Sequence, residues 1–560
     1  MQDVYKSRPF KTRNAEEFDL KVILDLFVNP LAGLAGPFSF ENQIVKGRMG
    51  SGKTMYLRAN YAYYLYTLVP DLIEEQDPIL PVMIRLSDFS HIKKPEEIYH
   101  AIILAIIEGM LTVAEHLSDA ERLAKLHQGA LTLPSAAVDS KMKRALEKFR
   151  TLKASEYAET TTQALGLNGG VKHGFLTASA EHKNEKVVEL KGRTSHAGIA
   201  DVRSVFENLL GATGAQMLLL IDEAGAVDQS FFSSGASTSL FETLMNQLRT
   251  ADFVRVKAAV YPRSYSDILT ETRYGDVVEL VAKVEGTDYA QFRARCVEIV
   301  NRYVSAAGYP GVTADELFEA LDHVDALEQL IYASNGVARR LVLLLDQAMD
   351  MAYKAHGGAG PVAKEHAYQA LTQHTRSLEQ MYGQVDRDLL TSIAKACRHR
   401  RTFRFQFPHK SPVLSRFVSK SEEQNLLRVV DPGAGRRGIT YSFDYAYCVA
   451  NDVPTHYLHE STAIDKDRSI VTGEWISRTA QMNDEIVKHA AAEKREGTIV
   501  FIAKQGTTGF VSSAEGGDAF FTLDNFVEGT RSADVGLGQK CRFLTFEYEG
   551  TNMAFGIELL

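Results

Sequence analysis

Cysteine is scarce: Cys296, Cys397, Cys448 and Cys541 are the four in 560 residues. None forms a CxxC pair, so neither a zinc ribbon nor a disulfide framework is signalled, and such usage suits a reducing cytoplasm. Long apolar runs are missing as well. The stretch Val22–Phe40 is interrupted by Asp25, Asn29, Pro30 and Pro37, and nothing approaches the roughly 18 residues that a membrane span requires. Met1–Arg13 is polar and lacks the apolar centre of a signal peptide. Positive charge is not in excess, since 62 Lys and Arg stand against 71 Asp and Glu, net −9. No overall basic field therefore draws the chain to nucleic acid or anionic lipid, and any basic surface is local. Zinc-protease and Ser/His/Asp signatures are lacking too. His456-x-x-His459-Glu460 puts its glutamate outside the histidine pair, unlike a zinc protease, and no Ser/His/Asp arrangement stands out.

What is present is an ordinary globular composition, 45% hydrophobic and 24% charged, in a length that suits about three to four domains. The strongest local feature is Gly47-Arg48-Met49-Gly50-Ser51-Gly52-Lys53-Thr54, which fits G-x-x-x-x-G-K-[ST]. Its glycines let backbone N–H groups turn toward the β- and γ-phosphates of a nucleotide. Lys53 neutralises them, and the Thr54 hydroxyl holds Mg²⁺. Gln43–Lys46 reads as the strand before this loop. Met55–Leu68 reads as the helix after it, whose N-terminus adds favourable partial charge. Gly47, Gly50, Ser51, Gly52, Lys53, Thr54 and Met55 are thus the expected ATP-binding residues.

The partner of such a loop is an acid at the end of an apolar strand, and Met217-Leu218-Leu219-Leu220-Ile221-Asp222-Glu223 supplies it. Asp222 is the expected Mg²⁺ residue and Glu223 the activator of the attacking water. Ile79–Leu86 and Val254–Val260 read as further strands of the same sheet. After the second, Arg263 or Ser264 is placed to sense a γ-phosphate, with a plain loop as the competing reading. The tyrosines at 56, 61, 63, 64 and 66 read as core packing of the helix behind the loop.

Ser334-Asn335-Gly336-Val337-Ala338-Arg339-Arg340-Leu341, leading into Leu343–Ala348, resembles the second sensor motif of AAA+ ATPases of the origin-recognition and initiator type. The resemblance covers roughly residues 10–355. It implies an α/β P-loop NTPase core over 1–285 and a helical lid over 286–382, with Arg339 reaching back to the nucleotide and Arg340 as the fallback. It also implies a homo-oligomer, because such enzymes take an arginine from a neighbouring subunit. Arg273, just before the strand expected at Val277–Val281, is the candidate, against a surface salt bridge. An insertion near 117–200, partly Gly- and Lys-bearing, departs from the family pattern.

Two further domains are expected. Between Arg398 and Arg437 ten basic residues face three acidic ones, net +7, a local footprint for phosphate. A helix (Asp386–His399), a strand (Asn425–Val430), a Gly-rich turn bearing Arg436 and Arg437, and a strand (Ile439–Phe443) resemble a winged helix over 383–470. The competing readings are a solvated face and a protein-docking module. A linker helix is expected over 471–496. Beyond it, short strands with glycine turns over 497–560 resemble a cold-shock domain, a small all-β OB barrel. Phe501, Phe510 and Phe520 match three of its base-stacking positions. Thr508 and Thr522 replace an aromatic and a histidine, and the segment carries net −4, so a docking or oligomerisation module stands beside base stacking.

Two functions emerge. One is an Mg²⁺-dependent ATPase whose cycle is coupled to nucleic acid, DNA before RNA. The other is a nucleotide-dependent oligomerising switch, as in prokaryotic antiviral defence, that recruits a separate effector protein.

Overall fold

The run Met217–Ile221 is fully buried, as an apolar strand must be when helices cover both faces of a parallel sheet. It belongs to β3 (Gln216–Asp222), one of five strands in the order β2-β3-β4-β1-β5. The others are β1 (Gln43–Lys46), β2 (Ile79–Arg85), β4 (Val254–Val260) and β5 (Asp276–Glu279). All pair in parallel, and β1 lies between β4 and β5, with Gln43 opposite both Lys257 and Asp276. This is an α/β P-loop core. β5 covers Asp276–Glu279, slightly earlier than the expected Val277–Val281. The computed structural model describes residues 1–560 except 32–35, 74–77, 119–197, 211–214, 224–225, 228, 233–238, 261–275, 281–288, 321–325, 408–413, 415–416, 419–423, 432–438, 456–478, 483–494, 504–507, 514–516, 527–529 and 549–550.

Helices α1 (Gln2–Ser7), α2 (Leu20–Leu26) and α3 (Lys53–Ile73) come first, then α4 (Pro95–Ser118), α5 (Ile199–Leu210) and α6 (Leu240–Thr250). One sheet face packs on α3, through Tyr56, Leu57 and Tyr64 against Leu218, Leu220 and Ala259. The other packs on α4, α5 and α6, through Ile98, Ile102, Ile106, Val202 and Leu244 against Val82, Leu219 and Val256. Helix α6 starts at a capping box, Ser239 accepting from the Glu242 N–H and Glu242 accepting from the Ser239 N–H. The insertion expected near 117–200 opens inside α4 and closes on α5, and its residues 119–197 lie outside the described ones.

Among the described residues seven helices follow: α7 (Tyr289–Ala306), α8 (Ala314–Leu317), α9 (Ala326–Ser334), α10 (Ala338–His356), α11 (Lys364–Glu379), α12 (Gln384–His399) and α13 (Tyr445–Ala450). The chain divides into two compact units. The first is Met1–Lys283, Asp288–Leu317 and Gly336–Asp346; the second is Val284–Thr287, Phe318–Asn335 and Gln347–Leu560.

In the second unit, β6 (Arg404–Gln406), β7 (Leu427–Asp431), β8 (Thr440–Phe443) and β9 (Ala480–Gln481) form a sheet in the order β7-β8-β6-β9. β7 and β8 are an antiparallel pair whose connection, residues 432–438, lies outside the described ones. The linker helix expected over 471–496 is corrected at two places. Ala480–Gln481 pairs in parallel with Phe405–Gln406, and Arg495–Glu496 already belong to β10. Ladder hydrogen bonds to strands distant in sequence override the local helical pattern there. Strands β10 (Arg495–Ile502), β11 (Thr508–Ser513), β12 (Gly517–Thr522), β13 (Lys540–Tyr548) and β14 (Thr551–Leu559) close a barrel in the order β10-β11-β12-β14-β13. Ile499, Val511, Phe521, Phe543 and Ile557 fill it. Among the described residues no helix is long and apolar enough to cross a membrane.

Candidate nucleotide site and nucleic-acid surfaces

In a parallel sheet the strand C-termini share one edge, and the loops leaving that edge make the site. Here β1 delivers the phosphate loop and β3 delivers Asp222 to that edge. Gly50 and Gly52 have φ of 76° and 97°, a left-handed backbone that a side chain strains. At Gly47 the limit is space. A Cβ there would lie 2.4 Å from Ser51 Oγ and 3.3 Å from Leu280 Cβ. The Tyr56 N–H donates to Gly52 O at 2.9 Å, so helix α3 starts inside the loop. Met55, one residue before Tyr56, packs against the same apolar cluster.

Lys53 is buried, and its Nζ donates to Gly47 O at 2.7 Å and Arg48 O at 2.8 Å. Burial pulls its ammonium down to about 8; Asp222 opposes the shift and the Arg339 charge adds to it. Asp222 is 1% exposed. Its Oδ1 accepts the Glu223 N–H at 2.9 Å, and the Thr54 hydroxyl is near enough to act on its carboxyl. Burial pushes this carboxyl above its ordinary range, and the nearby Thr54 hydroxyl and the Glu223 N–H act against that shift. Oδ2 is buried without a hydrogen-bond partner, as is Ser51 Oγ. A buried carboxylate oxygen left open beside a threonine hydroxyl, facing a cradle of glycines and one lysine, fits a hard cation and the phosphates it accompanies. Glu223 holds φ of 55°, a strained position of the kind found at functional sites.

Helix α10 reaches the loop from a distant part of the chain. The Arg339 N–H donates to Gly50 O at 3.2 Å, and its guanidinium is near enough to act on Lys53. Arg340, its neighbour, is 1% exposed and part of the interior. The structure therefore brings Gly47–Met55, Asp222, Glu223 and Arg339 together. Arg273, the candidate for a neighbouring subunit's site, and Arg263 and Ser264, the candidate γ-phosphate sensors, lie outside the described residues. So do Arg436 and Arg437 at the β7–β8 connection.

On the barrel, Phe501 opposes Phe510 and Phe510 opposes Phe520 across β10, β11 and β12. Ring centroids are 6.1 Å and 5.5 Å apart. Phe501 is 52% and Phe510 36% exposed. A register shift between Ile499 and Phe501 turns Val500 and Phe501 out together, which simple alternation would not do. Thr508 and Thr522 face each other at the end of this row.

Sequence reasoning missed Lys257, a lysine with no solvent exposure in the middle of β4. A second charge, after Arg255, in a strand otherwise made of valine and alanine was the available signal. It also missed Asp346 and its arginine partners, for which sequence offers no local signal.

Residues 8–82 match the family model ORC-CDC6-like, a span that runs from Arg8 through the phosphate loop into β2. Among solved structures, the chain is similar to the ORC2 protein of Aeropyrum pernix in its ADPNP-ADP complexes. Sequence identity is 13%, the similarity covers 79% of this chain and 93% of that one, and the TM-score is 0.33. No curated protein matches the chain.

Proposed function

We propose that the chain is an Mg²⁺-dependent ATPase of the AAA+ kind, whose nucleotide cycle is coupled to nucleic-acid binding or remodelling. One observation carries this reading: Lys53, Thr54, Asp222 and the Arg339 end of α10 converge on a single glycine loop at the C-terminal edge of a parallel sheet. The ORC-CDC6-like match over that loop supports it. In this reading, the backbone N–H groups around Gly50 and Gly52, together with Lys53, bind the phosphates. Thr54 and Asp222 hold Mg²⁺, which supplies charge neutralisation during phosphoryl transfer. Glu223 accepts a proton from the attacking water, and Arg339 contacts the nucleotide. Arg273 acts on the site of a neighbouring subunit, so the active form is a homo-oligomer. The basic segment around β7 and β8, with Arg436 and Arg437, is a winged-helix-like arm for duplex DNA. The barrel is a cold-shock-like module in which Phe501, Phe510 and Phe520 stack unpaired bases.

ATP hydrolysis by the purified chain tests the proposal, alone and with duplex DNA, single-stranded DNA or RNA. Glu223→Gln should retain ATP binding and lose turnover by roughly 100-fold or more, the usual contribution of a positioned base. One nucleic acid should stimulate the wild type. Turnover indifferent to all three refutes the coupling and favours the nucleotide-dependent oligomerising switch. Turnover unchanged in Glu223→Gln refutes the catalytic assignment.

A further inference from the structure

Residues 8–18 run across three helices of the first unit, and two of these carry nucleotide-site residues. At one end, Arg8 Nη2 donates to Asp346 Oδ2 at 2.8 Å, and Arg13 Nη2 lies 3.7 Å from the same oxygen. Asp346 is on α10, seven residues beyond Arg339. That is two turns, about 10 Å, along the same helix face. In the middle, Phe10 is fully buried and stacks on Tyr303 of α7 at 5.9 Å and 26°. Phe18 meets the same ring edge-on at 6.0 Å. At the other end, Arg58 Nη2 donates to Phe18 O at 2.7 Å. Arg58 is on α3, one turn beyond Thr54.

We infer that this segment is a strap that sets the distance between Arg339 and the phosphate loop, and that Asp346 is its positioning residue. The inference rests on the nucleotide-site reading above and adds to it an element that touches no nucleotide. Two features single out Asp346. Its side chain is 8% exposed, against 54% for Arg8 and 38% for Arg13, so a partly desolvated carboxylate is satisfied by guanidiniums from a separate segment. Such pairs are directional, and breaking one leaves a buried charge uncompensated. Two of the contact points that hold the first part of helix α10 within the first unit are the Gly50 carbonyl under Arg339 and the arginines over Asp346. Releasing the second point frees the helix to pivot about the first. Arg339 then loses its place over the loop while the loop keeps its own geometry.

The test is a double-mutant comparison on the full chain with ATP as the probe. Asp346→Asn should raise KM for ATP about tenfold, equivalent to about 1.4 kcal/mol, and lower kcat much less. The paired variant Arg8→Gln/Arg13→Gln, which alters only exposed or half-exposed side chains, should do the same. Asp346→Glu should recover most of the loss. In an Arg339→Ala background, Asp346→Asn should add nothing, because both act through one arginine. Wild-type KM in both strap variants overturns the inference. So does a full additional loss in the Arg339→Ala background, which assigns Asp346 a purely structural role. Absence of ATP binding by the wild-type chain is a different result and refutes the nucleotide site itself.

Discussion

Replacing Lys257 by methionine should change how the stability of the first unit depends on pH, and the sign is fixed by where the lysine sits. Lys257 lies on β4 opposite Gln43 and is fully buried. Its Nζ donates to Asn60 Oδ1 at 2.8 Å and to Pro37 O at 3.3 Å, and lies 5.4 Å from the Tyr56 ring centroid. Two carbonyl oxygens and a ring replace water incompletely, so burial pulls the ammonium from 10.5 to about 7, against the opposing charge of Glu41. Between those values the folded chain binds fewer protons than the unfolded chain, so stability rises with pH across the window. The cost is fully present below about pH 7 and absent above about pH 10.5. It amounts to ~5 kcal/mol at 1.36 kcal/mol per pKa unit, and ~2 kcal/mol of it is relieved between about pH 7 and pH 9.

Lys53, pulled to about 8, adds ~1 kcal/mol over the same interval by the same linkage, so the wild-type unit should gain ~3 kcal/mol. Lys257→Met should gain only the Lys53 share. At about pH 7 the variant sheds the ammonium cost but strands two carbonyl oxygens at ~1–3 kcal/mol, for a net stabilisation. Near pH 10 the same variant should be less stable than wild type, and the two curves cross. Calorimetric melts of the nucleotide-free chain across this range read the effect directly, at roughly 2–4 °C per kcal/mol for a unit of this size. Parallel pH curves for the two proteins would refute the reasoning, since they would mean that Lys257 is charged to the same degree folded and unfolded.

Two predictions concern the barrel. Phe510→Ala/Phe520→Ala should weaken single-stranded DNA binding by ~2–6 kcal/mol if each ring stacks a base, and unchanged affinity in a fluorescence titration would assign the row to protein docking instead. Gly509→Ala should destabilise the barrel by ~1–3 kcal/mol through overpacking, because its Cβ would fall 2.2 Å from Phe501 O and 2.5 Å from Phe521 Cζ; a barrel transition at the wild-type temperature would show that β10 shifts freely at the aromatic row.

What was legible in the sequence is what is local in the chain. The glycine loop declares itself in eight consecutive residues, because backbone curvature and charge must coincide within one turn. Asp222 is legible because a strand buried on both faces must be apolar until the residue that leaves the sheet. Tyr56 and Tyr64, read as packing, are buried. The two-residue strand Ala480–Gln481 fails this test: its identity is set by Phe405 and Gln406, more than 70 positions earlier, so its own residues carry only a weak helical pattern. Lys257 sat in plain view within Val254–Val260, but its pKa depends on Asn60 and the Pro37 carbonyl, 197 and 220 positions away. Asp346 is the extreme case. It reads as one acid on an amphipathic helix, and its meaning comes from Arg8, 338 residues upstream. Charge that meets charge over such a separation has no periodicity, spacing or composition to announce it. The same separation makes the pair informative, because an acid held almost out of solvent by a distant arginine stabilises one placement of its helix over others. That helix begins at the residue whose successor, Arg339, bonds the phosphate loop, so the placement it favours is the one that keeps Arg339 beside that loop, as the proposed strap requires.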